Sequence, residues 1–321
     1  MMIERRRFLQ IATGASLISS LPSRARAQAY PSSSIRLVVG FPPGNAPDTV
    51  ARLMGNKLSG QFGQSVVIEN RAGAASGIAT RMVASAAPDG YTLLQVTPAN
   101  AINPEFGGGG FFVRDIAPVA SVARGPMVLV VAAFSPIKSV ADVIAQARSK
   151  PDTTNIGSPG TGSTPYMAAA LFKMMTDLNI THVPFGGSAE TVNELLGGRV
   201  QVAIADMSAI ELIRAGTVRA VAVTTDKRQK ALPDVPTISE TVPGYEASTW
   251  YGIGAPRATP PQVVDRLNQA IKLALDDQSL TARLNALGFE SETGSPAAFG
   301  KLVEEETAKW ANVRKFVEAK R

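Results

Sequence analysis

Few side chains in this sequence could do covalent chemistry. The 321 residues contain no cysteine and one histidine, His182, so thiolate nucleophiles and thiolate metal sites are excluded. A Ser-His-Asp arrangement would have to recruit His182, yet no Gly-x-Ser-x-Gly elbow is present. His182 stands in the apolar run Thr181-His182-Val183-Pro184-Phe185, where a packed side chain is the plainer reading. No Asp-x-Asp-x-Asp-Gly loop offers calcium ligands, and the four glycines Gly107 to Gly110 are not followed by Lys-Ser/Thr. No metal, cofactor or catalytic residue is expected.

Backbone chemistry remains. Ile35-Arg36-Leu37-Val38-Val39 runs into Gly40-Phe41-Pro42-Pro43-Gly44-Asn45-Ala46-Pro47-Asp48, and a helix follows with Val50, Leu53, Met54 and Leu58 on one face. A strand that feeds a helix through such a turn aims several free N–H groups, and the positive end of the helix dipole, at one point. Asn155-Ile156-Gly157 does the same through Ser158-Pro159-Gly160-Thr161-Gly162-Ser163-Thr164, and the strand at His182 through Gly186-Gly187-Ser188. Ser188 is placed to cap its helix. Asp48 fits either a favourable dipole contact or a ligand contact. Asp206, at the end of Gln201 to Ala205, either caps the next turn or faces a cleft. There it would oppose a bare carboxylate and favour an amine or hydroxyl. Arg71 is the nearest cation, with Glu69 as the simpler partner.

The elements carrying these turns alternate strand and helix, which predicts an α/β fold with mainly parallel sheets. Strands are expected at Val66 to Asn70 and Tyr91 to Val96, with helices at Ile78 to Ala87 and Val140 to Ala147. Ile116 to Ala123 with Met127 to Ala133, and Ser248 to Ala255, are extended apolar segments suited to crossing between two lobes. Two crossings mean a discontinuous first lobe, residues 30–130 and 252–321, a second lobe 131–251, and a two-strand hinge beside the cleft. In open parallel sheets ligands collect beyond the strands' carboxyl ends, where the three turns lie. Three helical patterns finish the chain, the last with Phe299, Leu302, Val303, Trp310, Val313 and Val317 on one face.

Residues 1–29 read as an export leader: Arg5-Arg6-Arg7 before a mild apolar run, then Ala25-Arg26-Ala27 and Ala27-Gln28-Ala29 as small-x-small cleavage patterns. The arginine pair with Phe8-Leu9 favours the twin-arginine route over a Sec signal. Removing this segment takes away five arginines and one glutamate, so the net charge falls from +6 to +2. That balance, without a basic run interleaved with aromatics, does not indicate nucleic acid.

The ordered set of motifs then resembles the substrate-binding proteins of tripartite tricarboxylate transporters, the Bug family. It comprises Phe41-Pro42-Pro43-Gly44 with Asp48, Glu69-Asn70-Arg71-Ala72-Gly73, Ala87-Pro88-Asp89-Gly90-Tyr91, Gly157 to Ser163, His182-Val183-Pro184, Leu196-Gly197-Gly198-Arg199, Ala215-Gly216-Thr217-Val218 and Pro233-Asp234-Val235-Pro236-Thr237. The resemblance spans essentially the whole chain after the leader. It implies a monomeric periplasmic receptor of the two-lobed periplasmic-binding-protein fold (type II). Such a receptor closes on a small organic acid and delivers it to integral membrane subunits. Carried over residue by residue, it points to Gly44, Asn45 and Ala46, with Asp48 beside them. It adds Ser158, Thr161 and Ser163, then Gly186, Gly187 and Ser188, with Asp206 on the cleft. Asn45 stands where the family usually has glycine, and Phe185-Gly186 where it often has Tyr and a basic residue. That lost cation makes the ligand's far end less anionic or differently held. A ligand sensor for a membrane kinase and, less favoured, an enzyme acting on a carboxylate are the competing readings.

Overall fold

The first strand, β1 (Ile35–Val39), is buried except at Arg36, and a strand covered on both faces belongs at the centre of a sheet. The computed structural model describes residues 30–102, 112–150 and 153–319. The leader at 1–29 and the glycine run 107–110 lie outside the described residues. β1 pairs in parallel with β2 (Val66–Asn70) and β3 (Thr92–Val96). The helices α1 (Ala46–Phe62) and α2 (Gly77–Ala84) make the crossovers, and α3 (Pro98–Ile102) and α4 (Phe112–Asp115) lead to the next strand.

That strand, β4 (Ile116–Pro126), carries the chain out of the first sheet. One residue later β5 (Val128–Ala132) enters a second sheet, followed by α5 (Val140–Ser149), β6 (Asn155–Pro159), α6 (Thr164–Thr176), β7 (Thr181–Phe185), α7 (Ser188–Leu196), β8 (Val202–Ala205), α8 (Ile210–Arg214) and β9 (Val218–Val223). β10 (Ser248–Pro256) returns beside β4. Then come α9 (Pro261–Leu275), α10 (Gln278–Ala286), β11 (Glu290–Ser291) and α11 (Pro296–Ala319). The strand orders are β11-β4-β10-β3-β1-β2 and β7-β6-β8-β5-β9.

The expectation of mainly parallel sheets is corrected: both sheets are mixed. Strands joined by a helical crossover are parallel, namely β1 with β2 and β3, and β6 with β7; β6 is also parallel to β8. The traversing strands are not. A chain that leaves on β4 and comes back on β10 makes those two antiparallel, and β5 runs against both β8 and β9. The two crossings are fastened to one residue. The Met127 N–H donates to Thr224 Oγ1 at 2.9 Å, and the Thr224 and Ala247 N–H groups donate to the Met127 and Thr224 carbonyls at 3.0 and 2.9 Å.

One core gathers Val38, Leu94, Val96 and Trp250 on the first sheet, and another gathers Leu129, Ile156, Phe172 and Ile204 on the second. α11 contributes to both: Phe299 and Val303 join the first, Trp310 and Val313 the second. Phe299 fits because β10 has glycine at 252, where a Cβ would lie 2.1 Å from the ring. Between the two halves of α11, buried Glu306 accepts from Trp250 Nε1 at 3.3 Å and Trp310 Nε1 at 2.9 Å. No helix among the described residues is long and apolar enough to cross a membrane.

Candidate functional site

The first turn is held by its own acid. Gly44 takes φ +82°, a conformation that glycine adopts without steric cost. Its N–H donates to Asp48 Oδ2 at 2.9 Å. Arg52 Nε reaches the same oxygen at 2.8 Å, and Asn70 Nδ2 reaches Oδ1 at 2.8 Å. Burial would push the Asp48 carboxyl up, but these donors outweigh it and hold it below the ordinary value. Asp48 thus staples the turn and does not line the cleft. Arg71 is taken by Glu69 at 2.6 Å.

Asn45 is the N-cap of α1, yet its side chain makes no capping bond. It faces the N-cap of α7 instead: a Cβ on Gly187 would lie 3.9 Å from the Asn45 amide nitrogen. Gly187, having no side chain, leaves α7 equally uncapped. Two helices on different sheets therefore bring uncapped first turns to one place, and such turns hold N–H groups without intrahelical partners. A second approach lies close by, where a Cβ on Gly162 would stand 3.3 Å from the Ala75 methyl. Ala74, Ala75 and Ser76 all have positive φ, 48°, 45° and 70°, an unfavourable run for residues bearing a Cβ.

Between these contacts is a narrow cavity of ≈ 40 Å³, room for about three waters. Phe41, Asn45, Pro47 and Thr97 wall it on the first sheet's side. Pro159, Ser163, Thr164, Pro165, Ser188 and Asp206 wall it on the second, and Met127, Thr249 and Tyr251 come from the crossings. No lysine or arginine lines it. Asp206 caps the next turn and also lies on the cavity wall. Oδ1 caps the short 3₁₀ turn Met207–Ala209 through the Ser208 N–H at 2.9 Å, and Oδ2 accepts from Ser188 Oγ at 2.7 Å. Burial and the nearby Asp206 push the Tyr251 phenol far up, so it stays protonated.

The second turn is more self-contained. Ser163 caps α6 by accepting from the Tyr166 N–H at 3.2 Å and donates to the Pro159 carbonyl at 2.7 Å. Ser158 is fully buried and lies 2.6 Å from His182 Nε2. The imidazole stacks on Tyr166 with ring centres 4.3 Å apart. Burial, helped by Lys173, lowers its pKa to about 3. It is a neutral packing group tied to a serine that does not reach the cavity.

Of the residues expected from sequence, Asn45, Ser163, Ser188 and Asp206 meet around one cavity. Gly44 borders an adjoining outer pocket. Ala46 is buried at the start of α1. Thr161 is exposed and lines neither space. The Gly186 N–H is occupied by Glu190 Oε2 at 2.7 Å, and Gly187 contributes the close approach to Asn45. Sequence reasoning missed Phe41, Thr97, Thr164 and the crossing residues Met127, Thr249 and Tyr251 as lining residues. Thr164 and Thr97 sit directly beyond recognised elements and could have been found from that position. Among the described residues no group of His, Asp and Glu could hold a metal ion.

Residues 50–318 match the model of the tripartite tricarboxylate transporter family receptor. A protein encoded in the tcbD-tcbE intergenic region of Pseudomonas sp. (strain P51) is 37% identical over 318 residues, covering 96% of this chain and 93% of its own. An R. palustris protein solved with adipate superposes with a TM-score of 0.85 at 39% identity, over 89% of this chain and 98% of its own. MatC from Rhodopseudomonas palustris with bound malate gives 0.81 at 32% identity, over 89% and 100%.

Proposed function

We propose that this chain, which belongs to the tripartite tricarboxylate transporter receptor family, captures a small organic carboxylate in the periplasm and delivers it to membrane transporter subunits. The observation that carries the reading is the pair of uncapped helix starts. Asn45 on α1 and Gly187 on α7 approach each other from two sheets beside a cavity without cationic side chains, which Asn45 and Ser188 line. A carboxylate there is held by helix N–H groups, the Asn45 amide and the Thr164 hydroxyl, with the two helix dipoles supplying the complementary field; Asp206, also on the cavity wall, opposes it, but its two oxygens accept from the Ser188 and Ser208 hydroxyls. The neighbours solved with adipate and with malate support an organic acid as ligand. The leader expected at residues 1–29 supports export.

The closing parts are residues 30–130 with 252–321, and residues 131–251. The second half of α11, although it belongs to the former along the chain, packs on the latter through Trp310 and Val313. Met127, Thr224 and Ala247 form the hinge. Catalysis is disfavoured, since the one imidazole is neutral and committed to Ser158. A thermal-shift screen of mono- and dicarboxylates tests the reading. At a hundredfold excess over Kd a bound acid stabilises the protein by about 2.7 kcal/mol. Absence of any shift across the organic acids, with turnover of one of them, would establish an enzyme instead.

A further inference from the structure

One buried side chain joins three separate pieces of chain beside the first sheet. Asn100, on α3, is 1% exposed. Its Oδ1 accepts from the Thr97 N–H at 2.8 Å and from Thr97 Oγ1 at 3.3 Å, which closes the start of α3 in the manner of a capping box. Its Nδ2 reaches away from the helix and donates to Thr80 Oγ1 on α2 at 2.8 Å and to Ser76 Oγ at 3.3 Å. Thr80 Oγ1 in turn donates to the Ser76 carbonyl at 2.8 Å. All four residues are buried, so a partner removed from this network leaves polar groups that water does not readily satisfy.

Two of the joined pieces border the cleft. Thr97 walls the inner cavity. Ser76 ends the run Ala74-Ala75-Ser76, whose positive φ values are unfavourable for residues with a Cβ. Ala75 in that run meets the opposite side, where a Cβ on Gly162 would stand 3.3 Å from its methyl. Such a run persists only where its surroundings over-determine it. Here Ser76 is wedged on one side, since a Cβ on Gly40 would lie 2.1 Å from its Oγ. On the other side Asn100 holds its hydroxyl and Thr80 its carbonyl. Closing the start of α3 needs only Oδ1 of Asn100. The two bonds from Nδ2 do something else: they fix a strained turn that meets the far wall of the cleft.

We infer that Asn100 is a positioning residue for ligand capture, which sets Thr97 and the 74–76 turn in the geometry the cleft needs before an acid arrives. It rests on the receptor reading above and adds to it a residue that lines neither pocket. A receptor whose binding-competent form is only partly populated binds more weakly by that fraction. Losing Asn100 therefore weakens binding by releasing the turn, and a turn that needs less holding is hurt less. Ala74→Gly makes such a turn, because glycine takes positive φ without steric cost. Ala74 is exposed, and the substitution leaves the Ala75 methyl in place.

The test is a double-mutant cycle read by calorimetric titration of the purified protein with adipate and malate and, should neither bind, with each acid of the thermal-shift screen. Asn100→Ala should weaken binding about tenfold, and adding Ala74→Gly should recover about threefold of that loss, a coupling expected only within one network. Ala74→Gly alone should leave affinity unchanged and the melting temperature no lower. Thr80→Val takes away the nearer partner of Nδ2 with little change of shape. It should weaken binding about threefold, again partly recovered by Ala74→Gly, and it carries the test where Asn100→Ala does not fold. A merely structural Asn100 gives a different pattern: a lower melting temperature with unchanged affinity in the folded variants, or a loss of affinity that Ala74→Gly does not recover. Either result overturns the positioning role and leaves the receptor reading intact, because the unaltered protein still binds. Failure of every acid to bind the unaltered protein removes the receptor reading and this role with it.

Discussion

The starts of α6 and α7 both face the cleft from the second sheet, yet they treat their N–H groups in opposite ways. α6 satisfies itself: Ser163 accepts from the Tyr166 N–H and donates back to Pro159, while Ser158 behind it is absorbed by His182. α7 begins at Gly187, which has nothing to cap with, and α1 opposite begins at an asparagine that does not cap. A capped start is locally stable and chemically spent. An uncapped one gives up about 1 kcal/mol of local stability and keeps its donors for a partner. The cleft combines one spent wall with two available ones, so the available pair should control affinity and the spent wall stability.

The largest expected break is Gly187→Val. Its branched side chain would occupy the approach to Asn45, and carboxylate affinity should fall about a hundredfold or more, about 2.7 kcal/mol, in calorimetric titration. The melting temperature of the ligand-free protein should change little, since Gly187 is only half-buried and its extended φ of 178° suits any residue. Next is Asn45→Asp, which turns the available start of α1 into a self-capped, negatively charged one. Affinity should drop about tenfold, about 1.4 kcal/mol, while the free protein becomes slightly more stable. Equal affinity in that variant would show that α1 takes no part in holding the anion.

Smaller effects belong to the spent wall. Ser163→Ala removes the cap of α6 and should cost about 1 kcal/mol in urea denaturation, with ligand affinity nearly retained. A loss of affinity as large as that of Asn45→Asp would abolish the distinction between the walls. The smallest concerns His182, whose folded pKa of about 3 lies below its ordinary 6.5. The unfolded chain then binds the extra proton, so this contribution is present above pH 6.5 and is lost progressively as pH falls toward 3. Between pH 7 and 5.5 the decline should be about 1 kcal/mol, and His182→Gln should flatten that part of the pH–stability curve.

Much of this was legible in the residues, for definite reasons. β1 and α1 announce themselves by an apolar run and an i, i+3, i+4, i+8 face, because burial on a strand and on a helix imposes those periods. Asn45 came through the family resemblance, and Ser188 was expected as the cap of its helix, a position that Gly187 takes instead. What could not be read was direction. Asp48 in a first turn has one identity in sequence, whether its oxygens point at a ligand or at Gly44, Arg52 and Asn70. Only the fold, by bringing Asn70 from β2 to its side, settles which. Ser158 is the same case, decided by His182 arriving from the neighbouring strand. The mixed sheets also escaped, since a traversing strand such as β4 or β10 is as apolar as a parallel one. Tyr251 and Thr249 come to the cavity floor because β10 returns alongside β4, a relation between segments more than a hundred residues apart in the chain.

Helix α11 gives that return path a mechanical meaning. It is rooted in one core by Phe299 and Val303 and in the other by Trp310 and Val313, with Glu306 joined to an indole on each side. It is a splint between the two cores, and the stretch between Val303 and Trp310 is about two helical turns. A rotation of one core against the other would strain that stretch, because residues on both sides of it are buried. If the two parts close as proposed, their swing would be limited by how far about two helical turns can flex while a buried carboxylate keeps hold of two tryptophans.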